Sequence, residues 1–192
     1  MTDNQPTLQV ITASTRNGRS GPLVADWFLN YARKNAQFII EPIDLAAISL
    51  PMYNEPRHPR LKQYEYDHTK AWSAIVNRAD AFVIVTPEYN YFAPPALINA
   101  LDYLSHEWAY KPVGFVSYGG ISGGTRSVQS VKPLLTTLQM VPLPVAVSIP
   151  FFNQYIKADS GTFDPGEIQE KAAEAMLNEL LRWAKALKPL RA

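Results

Sequence analysis

Three short segments of this sequence carry residue types that bind small anionic and aromatic ligands. The first reads Ala13-Ser14-Thr15-Arg16-Asn17-Gly18-Arg19-Ser20-Gly21-Pro22. It joins an apolar run to an amphipathic one. Hydroxyls, backbone N–H groups and the positive end of a helix dipole therefore meet in one place, which is the make-up of a phosphate site. Arg16 or Arg19 would add a charge-assisted bond. Neither Gly-x-x-x-x-Gly-Lys-Ser/Thr nor Gly-x-Gly-x-x-Gly is present, so a single phosphate monoester fits better than a triphosphate or a dinucleotide pyrophosphate. Taken alone, the loop is equally an ordinary capped polar turn. The second segment reads Pro87-Glu88-Tyr89-Asn90-Tyr91-Phe92-Ala93-Pro94-Pro95. Its prolines stiffen the chain, and its backbone groups suit the rim of a planar heterocycle with aromatics packed nearby. A proline-rich connection with inward aromatics has the same composition. The third reads Ser117-Tyr118-Gly119-Gly120-Ile121-Ser122-Gly123-Gly124. Its glycines let backbone approach a ligand closely, or serve as a hinge.

Other chemistries fall away on the residue inventory. Gly120-Ile121-Ser122-Gly123-Gly124 matches Gly-x-Ser-x-Gly, the turn that carries a hydrolase serine. That chemistry needs an acid and a histidine later in the chain, and His58, His68 and His106 all precede Ser122. The same histidines show no metal-ligand spacing and read as surface or loop residues. There is no cysteine, which removes disulfides, thiolate metal sites and a cysteine nucleophile, and fits a reducing cytoplasm. No pair of acids ends the first strand, as a receiver domain would require. With 47% hydrophobic and 18% charged residues in 192, one α/β domain over residues 1–192 is expected. A formal net charge of +1 without a basic tract gives no argument for nucleic acid or a membrane surface. Residues 1–7 are polar, so no signal peptide is expected, and no apolar run approaches the roughly 20 residues of a membrane span.

The elements that position these segments follow from hydrophobic periodicity. Residues 8–13 read as a buried strand, 21–35 as a helix with Leu23, Val24, Trp27, Phe28 and Tyr31 on one side, and 38–43 as a second strand. A long segment, 44–66, carries Pro51, Pro56 and Pro59; long loops in compact domains are usually functional or mobile. Asp67 is placed to cap a helix bearing Ala71, Trp72, Ile75 and Val76. The apolar run at 81–86 has the character of a central strand buried on both faces. A helix at 96–104, a strand at 113–118, a helix from Ser122 to about Met140 and a strand at 144–149 follow. Asp164 then caps the last helix, with Pro165 at its first position and Ile168, Ala172, Met176, Leu180, Trp183 and Leu187 as its buried stripe. Five strands, each followed by a helix, give a parallel sheet with helices on both faces. Ligands of such sheets bind beyond the carboxyl ends of the strands, at the switch point of strand order. The loops after the first, third and fourth strands are the three segments above.

Thr86-Pro87-Glu88-Tyr89-Asn90, then Pro94 and Asn99-Ala100-Leu101-Asp102, resembles the Pro-Glu-Tyr-Asn signature of the NADPH-dependent FMN reductase family, which includes quinone, azo-compound and chromate reductases. Ser14-Thr15-Arg16 with Ser20 is similar to that family's phosphate loop, and Ser117-Tyr118-Gly119-Gly120 to its third flavin loop. The resemblance spans roughly residues 7–150. It implies a flavodoxin-like three-layer sandwich, bound FMN, NADPH or NADH as co-substrate, and a homodimer or homotetramer with flavin near the subunit interface. It also implies that Ser14, Thr15, Arg16, Ser20, Gly21 and Pro22 hold the phosphate side. Pro87, Glu88, Tyr89, Asn90 and Tyr91 would line the isoalloxazine, mostly through backbone, and Ser117, Tyr118, Gly119 and Gly120 would close the other side. Two departures stand beside the second loop: Ile98 where members often have lysine, and Pro95 in place of a common glycine.

The implied chemistry is ping-pong, with hydride passing from nicotinamide to flavin and electrons then passing to a small acceptor in the same place. No residue is expected to be strictly catalytic. The alternative is a flavin-binding electron carrier or redox-sensing partner without turnover; such carriers tend to be acidic, and this chain is near neutral. Trp108, Tyr110, Phe151 and Phe152 are the apolar candidates for subunit contacts.

Overall fold

Alternating apolar and amphipathic runs build one twisted sheet between two helical layers. The computed structural model describes residues 5–191; residues 1–4, part of the polar opening stretch, and Ala192 lie outside it. The strands are β1 (Thr7–Thr12), β2 (Ile39–Asp44), β3 (Ala81–Pro87), β4 (Pro112–Tyr118), β5 (Val141–Pro142) and β6 (Val147–Ile149). All pair in parallel, in the order β2-β1-β3-β4, with β5 and β6 both on the far side of β4. This is the flavodoxin-like order, and it reverses between β1 and β3.

The helices are α1 (Gly21–Asn35), α2 (Leu45–Ile48), α3 (Asp67–Asn77), α4 (Pro95–Asp102), α5 (Thr125–Thr137) and α6 (Glu167–Leu187). β3 and β4 are buried along their whole length, and their side chains divide between two cores. Val83 and Val85 join Val24 and Phe28 of α1 and Met176 and Leu180 of α6. Phe82 and Ile84 join Trp72 of α3, Leu97 and Leu101 of α4 and Val131 and Leu135 of α5. Strand side chains alternate between faces, so one continuous apolar run supplies both layers. α6 rests directly on β4. A Cβ at Gly114 would stand 2.6 Å from the Met176 sulfur, so any larger residue there would force that side chain to move.

Several expectations need correction. Of the strand read at 144–149 only Val147–Ile149 forms, as β6; the two-residue β5, Val141–Pro142, lies before it, and Pro142 and Pro144, which have no N–H, interrupt the ladder between them on this outer side of β4. α6 starts at Glu167 with Gly166 at its cap, and Asp164 instead accepts from Lys157 at 2.9 Å. Its buried stripe is Ala173, Met176, Leu177, Leu180 and Ala184, whereas Ile168 and Trp183 face outward. Met176, at the centre of that face, packs over Gly114, and the small Ala173 and Ala184 beside it give no strong apolar signal in the sequence. α5 begins at Thr125, leaving Ser122 in the preceding turn, and Asp67 is the first residue of α3 rather than its cap. Phe38 precedes β2. Trp108 is no surface candidate. It is 1% exposed and donates its indole N–H to Leu101 O at 3.1 Å; of the four aromatics proposed for subunit contact, Phe151 is the most open at 50% exposed, and Tyr110 and Phe152 are half-buried. The 44–66 segment contains α2 and a 3-10 turn, Pro59–Leu61.

Candidate functional site

The strand order reverses between β1 and β3, and the loops leaving their carboxyl ends meet there. After β1 the chain drops Ser14 into the interior, 1% exposed. Tyr118, at the end of β4, donates to the Ser14 hydroxyl at 3.5 Å. Gly21 opens α1 against both groups. A Cβ there would collide with Ser14 Oγ and lie 2.9 Å from Tyr118 Oη, so glycine is what brings the helix N-terminus this close to the sheet.

The two arginines of this loop have different fates. Arg19 turns inward. Its guanidinium binds both oxygens of Asp44 at 2.6 Å and also donates to the Ser14 carbonyl. Asp44 in turn accepts from Ala46 N at 3.0 Å, capping α2. The bond from Arg19 holds the Asp44 carboxyl below the usual range, against the opposing effect of burial. Arg16 is exposed and forms no side-chain bond among the described residues, yet it lines the cleft. Apart from the turn at residues 17–18, the backbone N–H groups of residues 15–21 make no hydrogen bond of ordinary geometry to the described residues. The Ser20 side chain does not cap α1, and no acid stands in its first turn. The positive end of a four-turn helix therefore faces the cleft uncompensated.

The loop after β3 is a hairpin. Tyr89 and Phe92 exchange two backbone bonds of 2.9 Å each, and Asn90 and Tyr91 form its tip with φ of 50° and 71°. Both central residues in the left-handed region define a type I′ turn. The Glu88 side chain is tied to the loop and helix after β4. It accepts from Ser122 Oγ at 2.8 Å and from Arg126 Nε at 2.7 Å. Burial pushes its carboxyl up, but the bonds from Arg126 and Ser122 overcome this and leave it below the ordinary value. The Arg126 guanidinium also lies 3.7 Å from the centre of the Tyr91 ring.

The loop after β4 closes the third side. Gly119 and Gly120 accept from Phe152 N and Phe151 N at 3.2 and 2.9 Å. A Cβ at Gly120 would meet nothing within 4 Å, so its backbone is open. Gly124 (φ 79°) is forced, since a Cβ there would stand 2.8 Å from Tyr118 N and O. Phe152 packs edge-on against the Tyr118 ring, at 5.1 Å. Burial pushes the Tyr118 hydroxyl up to about 12, so it acts as a neutral donor to Ser14. The Tyr89 hydroxyl is buried with no partner among the described residues.

These loops enclose a cavity of about 530 Å³ lined by Arg16, Arg19, Ser20, Pro87, Glu88, Tyr89, Asn90, Tyr118, Gly119, Gly120 and Phe152. Most residues expected from the sequence thus converge. Ser14 and Ser117 lie buried beneath the cleft; Thr15 faces a neighbouring pocket with Met52 and Asn99; Gly21 and Pro22 shape the helix start; Tyr91 is turned to Arg126. Arg126 had no signal in the sequence, and Phe152, expected at a subunit contact, lines the cleft instead; each reaches the site only through tertiary contact. A second cavity, about 580 Å³, shares Tyr89 and Asn90 with the first and is otherwise walled by Met52, Tyr53, Phe92, Ala93, Pro95, Ile98, Asn99 and Asp102. Both departures, Pro95 and Ile98, line it. Asn99 fixes its wall by donating to Pro51 O at 2.7 Å and accepting from Tyr53 N at 2.8 Å. A larger hollow of about 840 Å³ sits near the opposite edge of the sheet, around Asp80, Lys111 and Arg191. There Lys111 donates to the last carbonyls of α3, Val76 O at 2.9 Å and Asn77 O at 3.3 Å, so its evident work is to cap that helix.

Three unaccepted features point the same way: bare helix-end N–H groups, an open glycine edge and an orphaned tyrosine hydroxyl around one crevice at a switch point. They match a flat heterocycle carrying one phosphate, and the relatives of the chain agree. A model of the NADPH-dependent FMN reductase family matches residues 6–154. An NAD(P)H-dependent FMN reductase of Schizosaccharomyces pombe is 40% identical over 149 residues, covering 76% of this chain and 74% of that one. A quinone reductase of Pseudomonas putida is 29% identical over 175 residues, covering 81% and 88%. Among solved structures, FerB, a flavoenzyme NAD(P)H:(acceptor) oxidoreductase from Paracoccus denitrificans, superposes with a TM-score of 0.71 at 21% identity, covering 94% and 98%, a likeness of fold. With its signature on the strained hairpin and its phosphate-type loop on the bare helix end, the chain belongs to the NADPH-dependent FMN reductase family.

Proposed function

We propose that residues 1–192 form one FMN-binding unit that takes hydride from NADPH or NADH and passes electrons to a small acceptor in ping-pong order. The observation that carries this reading is the loop before α1, whose N–H groups have few protein acceptors and whose Arg16, Arg19 and Ser20 line the same cavity as the hairpin and the glycine loop. Arg16, the Ser20 hydroxyl and those N–H groups hold the phosphate. The backbone of residues 87–90 meets the ring edge, and Gly119 and Gly120 let the chain approach it on the other side. When bound, FMN supplies a reversible two-electron acceptor between nicotinamide and substrate. Arg19 and Asp44 fix the loop, while Phe152 and Tyr118 keep water from one flank. With FMN bound, backbone N–H groups of the hairpin and glycine loops would be the donors available to the ring, and no side chain would have to act as a base.

The acceptor belongs to the quinone or azo-compound type, in keeping with the names of relatives such as the Pseudomonas putida quinone reductase and a Bacillus NADPH azoreductase. Exposed Tyr91, Phe92, Ile121 and Phe151 around the cleft support pairing into a homodimer or homotetramer. No helix among the described residues is long and apolar enough to cross a membrane, and a cytoplasmic site is consistent with the lack of cysteine.

Anaerobic stopped-flow mixing of the FMN-loaded protein with NADPH and with NADH tests the reading, followed by reoxidation with a panel of quinones, azo dyes and oxygen. Rapid bleaching and acceptor-dependent recovery are expected. A protein that holds FMN but is not bleached by either nucleotide is an electron carrier, and a protein that binds no FMN overturns the whole assignment.

A further inference from the structure

Tyr91 occupies an uncomfortable place. Type I′ turns favour glycine at the second central position, because the left-handed region brings Cβ against the following carbonyl. Here that position holds a bulky tyrosine at φ 71°. Such an outlier persists only where its surroundings hold it, and outliers of this kind gather at functional sites. The holding group is Arg126, in the first turn of α5 and 35 residues away in sequence. One side of its guanidinium meets the buried Glu88 carboxylate, with Nε at 2.7 Å and Nη2 at 2.6 Å from the same oxygen. Its face covers the Tyr91 ring at 3.7 Å. Ser122 takes the other Glu88 oxygen at 2.8 Å. The residues on either side of the tip's first strand turn are thereby tied to the helix that follows β4.

We infer that Arg126 is a positioning residue: clamped between Glu88 and Tyr91, it preforms the Asn90–Tyr91 tip at the edge of the flavin ring. The inference rests on the assignment of FMN to the cleft. Its consequence is specific to the ring. A loosened tip must be ordered on binding, and that cost falls on any ligand with the same ring, whether or not it carries a phosphate.

The test uses the full chain, freed of flavin, with Arg126→Ala, Arg126→Lys, Tyr91→Leu and Tyr91→Phe. Titration with FMN and with riboflavin, read by flavin fluorescence, is paired with amide hydrogen exchange of the flavin-free protein. Loss of a stacked cation and a charge-assisted bond, partly offset by water, is expected to weaken both ligands by the same factor, about tenfold. Tyr91→Leu behaves like Arg126→Ala, and the double variant is no worse than either, because they remove one clamp. Tyr91→Phe keeps the ring face and stays within about twofold; Arg126→Lys keeps the charge but not the stacked plane and falls between. The Tyr89 and Phe92 amides, which close the hairpin, exchange faster in Arg126→Ala, while amides of β3 and β4 do not. Unchanged affinity and exchange overturn the proposal. So does a loss confined to FMN, which would put Arg126 at the phosphate, or acceleration of all amides alike, which would make it a general stabiliser. Failure of the unsubstituted protein to bind flavin would instead strike the cofactor assignment, and the exchange measurement would still report on the clamp.

Discussion

Replacing Arg16 by alanine separates cofactor retention from hydride transfer. The side chain is exposed and has no side-chain partner among the described residues, so removing it leaves the fold intact. A hydrogen bond to a charged group contributes roughly 1.5–3 kcal/mol. Solvent screens an exposed pair, so the lower end applies, and about 1.5 kcal/mol corresponds to roughly tenfold in affinity. The N–H groups of residues 15–21 and the end of α1 remain, so binding weakens without vanishing. Titration of the flavin-free protein should show FMN affinity down about tenfold and riboflavin affinity unmoved, since riboflavin has no phosphate. At saturating FMN, the stopped-flow rate of reduction by NADPH should stay within about twofold, because the ring lies at the other end of the cleft. Unchanged FMN affinity with a large loss of reduction rate would place Arg16 at the nicotinamide. The ligand orientation across the three loops would then be wrong. If neither quantity moves, Arg16 is a solvated loop residue and the phosphate is held by backbone alone.

Gly21→Ala should lower thermal stability by about 1–3 kcal/mol and weaken FMN, because the new methyl group drives α1 away from Ser14 and Tyr118; a melting curve and a flavin titration check both. Lys111, pushed down to about 8 by burial, is neutral in the fold where the unfolded chain is still charged, so the unfolded state binds more protons and stability should rise from pH 8 to pH 10. Urea unfolding across that range should show the rise, and Lys111→Met should flatten it. Asp102 is the one charged group of the second cavity, and Asp102→Asn should raise kcat/KM for a sulfonated naphthoquinone a few-fold relative to menadione, if acceptors enter from that side. An unchanged ratio would place acceptor entry elsewhere.

The layers and the site edge were legible because they depend on local pattern. β3 reads as apolar without interruption, and only a strand buried on both faces requires that. The three loops were found through residue type: hydroxyls and glycine before a helix, prolines around a Glu-Tyr-Asn run, and paired glycines. What escaped depends on partners distant in sequence. Arg16 and Arg19 are indistinguishable as residues; Asp44, at the end of a different strand, decides between them. Arg126 has no local signature, since its role is created by Glu88 and Tyr91. Trp108 looked like a surface aromatic only because the backbone carbonyl that accepts its indole N–H, on Leu101, could not be foreseen. On α6 the apolar pattern found Met176 and Leu180 but missed the small Ala173 and Ala184, which pack inward where Ile168 and Trp183 do not.

Two ion pairs tie the loops of the cleft to neighbouring elements. Arg19–Asp44 ties the first loop to the end of β2. Arg126–Glu88 ties the hairpin to α5. Each pair spends a cation that would otherwise face the ligand, and each carboxylate is satisfied by further bonds, from Ala46 N in one case and Ser122 Oγ in the other. Neither acid is therefore left to repel a phosphate or a reduced ring. The positive charge that remains at the cleft comes from Arg16 and the bare end of α1, both at the β1 side. This leaves the hairpin and glycine sides to neutral backbone. A ligand with one charged end and one flat, uncharged end matches this distribution of charge in one direction and not in the reverse.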